Sequence, residues 1–558
     1  MNIAKRPPQM NWVYENPKAE IKIAVIPLRN VYNGESTHAI IFVDIGSKSY
    51  ETAVISLDEC CRYKKLMESL QLMPDLSAKE KKKAGEALRR SIIQQQKEGE
   101  LPLYFDKNGC YRLPNESWVA VEGDTTIGIN PQICYVIDPQ VEKLKLLRTN
   151  NAQPVTHLLK SIYNEPDELY LLVSYSYLSL ILSAIRGCGI EFQAVGWVYG
   201  EHGCGKTVAA KRLGGIFAYA NNPKAGPALL FDAGATLSST RELTTIHRDQ
   251  LLIIDDIAYS ASSKSQEKRM ELSGQLIREG ANGNPISRNP GGKLSQQQCI
   301  GGILFTAELL FGKASDVERC ILIPITRQLH LPNNCTPALS GSAAHAFLCT
   351  FVNQGDNFLY HIKEELQDPP AVLQNCNNQR VRTNLTVLRC AFKLLLVAAE
   401  NEGMPPEERK TYQYRLDAAL NRSWSETQLY LNRLAAYQKR ASIPAILWNA
   451  YQKDRFALVN KKKKLEERLS QMDGADLDDG YLCLRKAALE TCVRQQPGYQ
   501  NCNINDIVKN LTLYNILYSN EKSTYQVHIG NDPKLPRVYK LDLEALEKAA
   551  KTADIPND

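Results

Sequence analysis

The chain has 558 residues, 44% hydrophobic and 23% charged, a balance that suits a globular protein of roughly three or four domains. Its formal net charge of +6 is too mild to argue for nucleic-acid binding by itself, and no uninterrupted apolar run reaches the length of a membrane span. Lys5, Arg6, Pro7 and Pro8 stand where a secretory leader would carry its apolar core, so a cytoplasmic protein is expected, and 15 scattered cysteines without a C-x-x-C pair imply neither a disulfide framework nor a zinc site.

Residues 1–150 alternate short β-like runs (21–26, 39–43, 50–55) with a charged helical run over 77–97, and 111–129 has strand periodicity with turns at Pro114-Asn115 and Glu122-Gly123. This predicts a small α+β module. Its run Lys81, Lys82 and Lys83 reads as a solvated helix face in preference to a DNA site. From 151 to about 195 the pattern is helical, and the most apolar part, 169–185, is broken by Ser and Tyr and reads as a buried helix.

The next segment is the most informative. Residues 200–207 read GEHGCGKT, a full match to G-x-x-x-x-G-K-[ST], with a β-prone run before it and a helix-prone run after it. In that strand–loop–helix setting the backbone N–H groups of Gly200, Glu201, His202, Gly203, Cys204 and Gly205 close around a triphosphate, and the helix N-terminus adds partial positive charge. Lys206 would reach the β- and γ-phosphates, and the Thr207 hydroxyl would hold Mg²⁺. ATP and Mg²⁺ are thus the expected cofactors. Cys204 inside the loop suggests sensitivity to thiol reagents.

Downstream, 228–232 and 238–246 supply one β–α unit, and then QLLIIDDIA (250–258) describes a buried parallel strand ending in two acids. Asp255 would hold the Mg²⁺ shell, and Asp256 would orient or deprotonate the attacking water; the strand is expected beside the loop's own strand. A further strand, 300–305, runs into Thr306, Ala307 and Glu308. Thr306 is the first candidate to position water, with Glu308 second, although a Thr at this place also suits a helix cap. In SDVERCILIPI (315–325), Arg319 stands at the mouth of another apolar strand, where it would stabilise transition-state charge in a neighbouring subunit; Arg327 is the runner-up. Between the acid strand and the Thr306 strand, 278–297 has hairpin turn signals and the cations Arg278, Arg288 and Lys293. It reads as a loop tracking a single strand's phosphates or as a polar surface loop.

With these elements in order, the core resembles the helicase-like ATPases of phages and integrative mobile elements, which are similar to MCM and superfamily 3 replicative helicases within the AAA+ class. The resemblance rests on GEHGCGKT, LLIIDD (251–256), ELSGQLIREGANGNPISRN (271–289), ILFTAEL (303–309) and ERCILIPI (318–325), with YRLPNESWVAV (111–121) before them. It covers about residues 110–330. It implies ATP-driven unwinding or translocation on DNA by a hexameric ring, with a primase or origin-binding protein as partner.

The region 343–469 is mostly helical by pattern, with breaks at Pro369-Pro370 and Pro405-Pro406; 461–464 begins a charged helix, and 472–480 reads as a linker. Beyond it, 480–493 and 504–517 read as strand–helix and helix, and 518–546 as a wing, a pattern that resembles a winged-helix domain. Lys509, Lys522, Lys534 and Arg537 are its candidate DNA contacts, with protein docking or autoregulation equally open. The expected architecture is therefore α/β: an N-terminal α+β module (1–150), a helical lead-in and P-loop ATPase core with an AAA+-like parallel sheet (151–335), a helical region (336–475) and a winged-helix-like domain (476–558). The expected function is an ATP-dependent DNA helicase or translocase that is not membrane-bound. A nucleotide-driven switch without helicase activity, or a DNA- or partner-binding scaffold, are the alternatives.

Overall fold

The computed structural model describes residues 12–31, 34–51, 54–69, 76–98, 101–138, 141, 143–219, 229–232, 248–257, 263–282, 285–288, 295–298, 301–308, 313–438, 442–460, 473–477, 480–495, 499, 502–518 and 538–552. The chain divides into two compact units, Met1–Leu429 and Tyr430–Asp558. The division falls inside the expected helical region, because the helices Pro337–Gln367 and Gln379–Asn401 share one hydrophobic core with the lead-in helices and the parallel sheet.

At the start of the first unit, long antiparallel strands Ile21–Asn30 and His38–Ile45 pair over their length. The helix Ala78–Glu98 closes over them with Ala84, Leu88 and Ile92, the i, i+4, i+8 stripe expected of an amphipathic helix. Ser77 and Glu80 cap its start reciprocally: the Glu80 N–H donates to Ser77 Oγ (3.4 Å) and the Ser77 N–H to Glu80 Oε2 (2.8 Å). Lys81, Lys82 and Lys83 lie exposed on the helix's outer side, as a solvated face requires.

A three-stranded meander follows (Gly109–Arg112, Trp118–Glu122, Thr125–Ile127). It is tied to the start of the acid strand by buried Asp249. That carboxylate accepts from the Cys110 N–H (3.0 Å) and the Ser183 N–H (2.7 Å) and faces Arg248 (3.5 Å). Burial pushes the Asp249 carboxyl above its ordinary value, while Arg248 and these donors pull it down.

The lead-in helix Glu168–Leu178 is buried along its whole length. The stretch Glu168–Gly187 has the length and composition of a membrane span, yet 94% of its most apolar window is buried inside the protein. One reason is visible at Tyr175, whose hydroxyl donates to Ile303 O (2.9 Å) in the sheet.

That sheet has five parallel strands in the order Leu230–Asp232, Leu251–Ile257, Gly302–Ala307, Val195–Gly200 and Cys320–Ile325. Val195, Trp197, Val198, Ile253, Leu304, Phe305, Leu322 and Ile323 are essentially inaccessible, as expected of strands covered on both faces. Pro324 is tolerated because its strand is an edge of the sheet. The expected helix over 238–246 lies outside the described residues.

The helix Ser263–Asn282 leads into the antiparallel hairpin Pro285–Arg288 with Ser295–Gln298, so the expected hairpin is present.

In the second unit, the helix Ile443–Gln452 and the strands Leu458–Asn460, Gly474–Leu477, Tyr481–Arg485 and Val538–Asp542 surround a core with the helices Lys486–Arg494, Ile504–Leu513 and Leu543–Thr552. The expected linker over 472–480 is corrected here. Gly474 begins a strand, and a Cβ on it would meet Cys483 O at 1.8 Å, so its glycine serves close strand approach. Leu517 bridges to Leu541; of the expected wing over 518–546, residues 519–537 lie outside the described residues. Lys509 is exposed on its helix; Lys522, Lys534 and Arg537 lie outside the described residues, as does the run 461–464.

Candidate nucleotide site

All five strands run parallel, so the GEHGCGKT loop and the acid end of Leu251–Ile257 leave the same edge of the sheet. One expectation is corrected: these two strands are not neighbours. Gly302–Ala307 lies between them and pairs with both. Which strands pair is set by long-range packing, which motif spacing does not encode.

The intervening strand brings its own polar residue into the gap. The Thr306 hydroxyl donates to Asp255 Oδ1 (2.5 Å), and the Thr207 hydroxyl donates to the same oxygen (2.7 Å). Thr306 therefore sits inside a strand, opposite Val198, and caps no helix. Its one hydroxyl proton is engaged on Asp255, which makes it a partner of that carboxylate.

The loop's glycines have physical reasons. A Cβ on Gly200 would stand 2.2 Å from Ile325 O and 3.2 Å from Cys204 Sγ. Gly205 has φ +96°, a left-handed conformation that costs an L-residue, and it opens the helix Lys206–Ala209, which continues through Ala210–Gly214. Lys206 is 9% exposed, and its ammonium donates to Gly200 O (2.8 Å) and Glu201 O (2.7 Å), two carbonyls of the loop itself. Glu201, His202 and Gly203 form the exposed tip. Cys204 is 6% exposed behind it, so the expected ready attack by thiol reagents is not favoured by this geometry.

Two contacts at this edge were not read from the sequence. His202 Nδ1 meets Glu308 Oε1 (3.1 Å), joining the loop tip to the residue just past the Thr306 strand. The Tyr199 hydroxyl donates to Glu426 Oε2 (3.1 Å) on the helix Pro406–Gln438. Partners 106 and 227 residues apart leave no local signal.

The donor set suits Mg²⁺. One carboxylate and one hydroxyl, both hard oxygen ligands, converge beside the loop, and Mg²⁺ commonly takes its remaining ligands from phosphate and water. No cluster of three or more His, Cys, Asp or Glu side chains forms a metal cage among the described residues. Asp256 follows Asp255 in the same strand, where the pairing register shifts between Ile254 and Ile257; its side chain is outside the described residues.

The arginines separate by edge. Arg319 precedes Cys320–Ile325, and its carbonyl accepts from the Val195 N–H (2.9 Å), so it lies at the edge opposite the loop. Six residues of strand at ~3.3 Å each put it about 20 Å from the GEHGCGKT loop of its own chain. Its guanidinium donates to Asn282 Oδ1 (3.2 Å) and Ser315 O (2.5 Å). Burial, with Arg380 beside it, holds its pKa below the ordinary arginine value. Arg327 lies past the other end of the strand, near the loop of its own chain, and donates to Asn164 O (2.9 Å).

Of the cations in 278–297, Arg278 is half-exposed on its helix and pairs with buried Asp316 (3.3 Å). Arg288 ends the first hairpin strand opposite Ser295, and its side chain is outside the described residues, as is the whole of Lys293.

The fold has a counterpart among solved structures. Over 94% of this chain and 94% of the other, it matches "SCCmec type IV Cch - active helicase", with a TM-score of 0.51 and 14% identity. The fold is therefore helicase-like. Two JCV helicase structures, one with a bound inhibitor, match over 42% and 48% of this chain and 73% of theirs, with identities of 11% and 10% and TM-scores of 0.22 and 0.19, too low to define a shared fold. No protein-family model matches the chain, and no curated protein matches it by sequence.

Proposed function

We propose that the protein is an ATP-dependent DNA helicase or translocase that works as a hexameric ring in the replication of a phage or mobile element. The observation that carries this reading is the meeting of Thr207 and Thr306 on Asp255 Oδ1, at 2.7 and 2.5 Å, beside a glycine-built loop and a helix start. The loop's N–H groups bind the phosphates. Lys206 exchanges its carbonyl partners for β- and γ-oxygens, and its ammonium steadies charge that develops there. Thr207 and Asp255 would hold Mg²⁺, which screens the phosphates when bound, and Thr306 fixes the Asp255 rotamer. Asp256 orients the attacking water. Arg319, too far from its own cradle, serves the next subunit's nucleotide, which supports a ring. Arg278 stiffens the base of the hairpin, and Arg288 and Lys293 touch DNA phosphates. The C-terminal unit acts as a winged-helix module, and a primase or origin-binding protein is a fitting partner.

The test is ATP hydrolysis with and without DNA. The reading expects hydrolysis stimulated by DNA, with stimulation lost in Arg288→Ala plus Lys293→Ala. Turnover indifferent to DNA would instead favour a nucleotide switch, and absent turnover a scaffold.

A further inference from the structure

We infer that Glu308 is the carboxylate that accepts the proton of the attacking water, and that His202 holds it at the loop tip until a triphosphate enters; this rests on the ATPase reading above. Three observations lead there. The strand Gly302–Ala307 is flanked by both the loop strand and the acid strand, so the residue at its exit leaves the sheet between the loop and the end that carries Asp255. Tyr199 pairs with Ala307, which sets Glu308 level with Gly200, the first residue of the loop. The Glu308 carboxylate is about one-third exposed (32%), and His202 meets it at 3.1 Å.

The neighbouring carboxylate Asp255 is already engaged through one oxygen. Thr306 has spent its only proton on Asp255, and Asp255 Oδ1 takes two hydroxyls. Glu308 is tied only at the loop tip among the contacts described for it, to a histidine that is 93% exposed. A triphosphate seated in the loop carries more negative charge than one carboxylate and competes for the His202 N–H, which frees the glutamate. In the step itself, the water oxygen bonds to the γ-phosphorus as the bond from that phosphorus to the β–γ bridging oxygen breaks. The electron pair of that bond leaves on ADP, and the water proton passes to a Glu308 oxygen.

The experiment measures ATP binding and turnover in the full chain for Glu308→Gln, His202→Ala and Asp256→Asn. Glu308→Gln is expected to bind ATP within about threefold of the parent and to lose about 100-fold or more in kcat, the span of a lost general base. His202→Ala is expected to raise turnover in the absence of DNA, because the glutamate is no longer held. Turnover of Glu308→Gln within about threefold of the parent, with Asp256→Asn inactive, would overturn the assignment and leave the ATPase reading intact. Should His202→Ala lower kcat with Glu308→Gln inactive, the latch is overturned. If the parent protein binds no ATP, the underlying reading fails instead.

Discussion

Lys206 shows how much of a site one side chain can reveal. Its ammonium is buried and held by two carbonyls of its own loop, so a positive charge waits at the place where phosphate oxygens would come. Lys206→Ala is expected to weaken ATP binding by at least about tenfold, the scale of one charge-assisted hydrogen bond of 1.5–3 kcal/mol, with the circular dichroism spectrum unchanged. Equilibrium titration with a fluorescent ATP analogue measures it. At this scale the loop's conformation was legible in the sequence, because the left-handed Gly205 and the close approach at Gly200 both call for glycine. Less legible were residues whose meaning depends on distant partners. Arg278, expected among the cations that track a strand's phosphates, pairs with Asp316, and Cys204, expected to be reactive, is only 6% exposed.

Among elements, the strand order was the main surprise. Apolar runs ending in polar residues marked each strand of the sheet, and periodicity placed the helix Ala78–Glu98 to within a residue at each end. Neither signal says which strand lies next to which, since the insertion of Gly302–Ala307 between the loop and acid strands is decided by tertiary packing. The same holds for the tie at Asp249, which joins the meander to the acid strand across 139 residues. Asp249 also has φ +50°. Asp249→Ala would take the acceptor from the buried Cys110 N–H and the part-buried Ser183 N–H and the counter-charge from Arg248, and is expected to cost about 2–4 kcal/mol in stability. Urea unfolding followed by tryptophan fluorescence checks this; a loss under about 0.5 kcal/mol, the range of ordinary surface changes, would show that the tie is dispensable.

For the whole molecule, the placement of Arg319 carries the most weight. Arg319 stands about 20 Å from the loop of its own chain, so in the ring reading it serves a nucleotide held by another copy. Mixing inactive Arg319→Ala subunits with inactive Lys206→Ala subunits should therefore restore part of the hydrolysis, since mixed rings contain interfaces with both groups intact. No recovery across mixing ratios would count against the trans assignment. Electron microscopy with a non-hydrolysable ATP analogue is expected to show a six-membered ring with a central pore. The unit boundary at Leu429 could not be read from helical pattern, because it falls inside the single helix Pro406–Gln438, whose sequence stays helix-prone across it.

The central claim is that the glycine loop and Asp255 grip one magnesium–nucleotide together. It is tested most directly by titrating ATP into the parent protein and into Asp255→Ala, each with and without Mg²⁺. The account predicts that Mg²⁺ tightens binding to the parent and has no such effect on Asp255→Ala. An equal gain from Mg²⁺ in both proteins would contradict it.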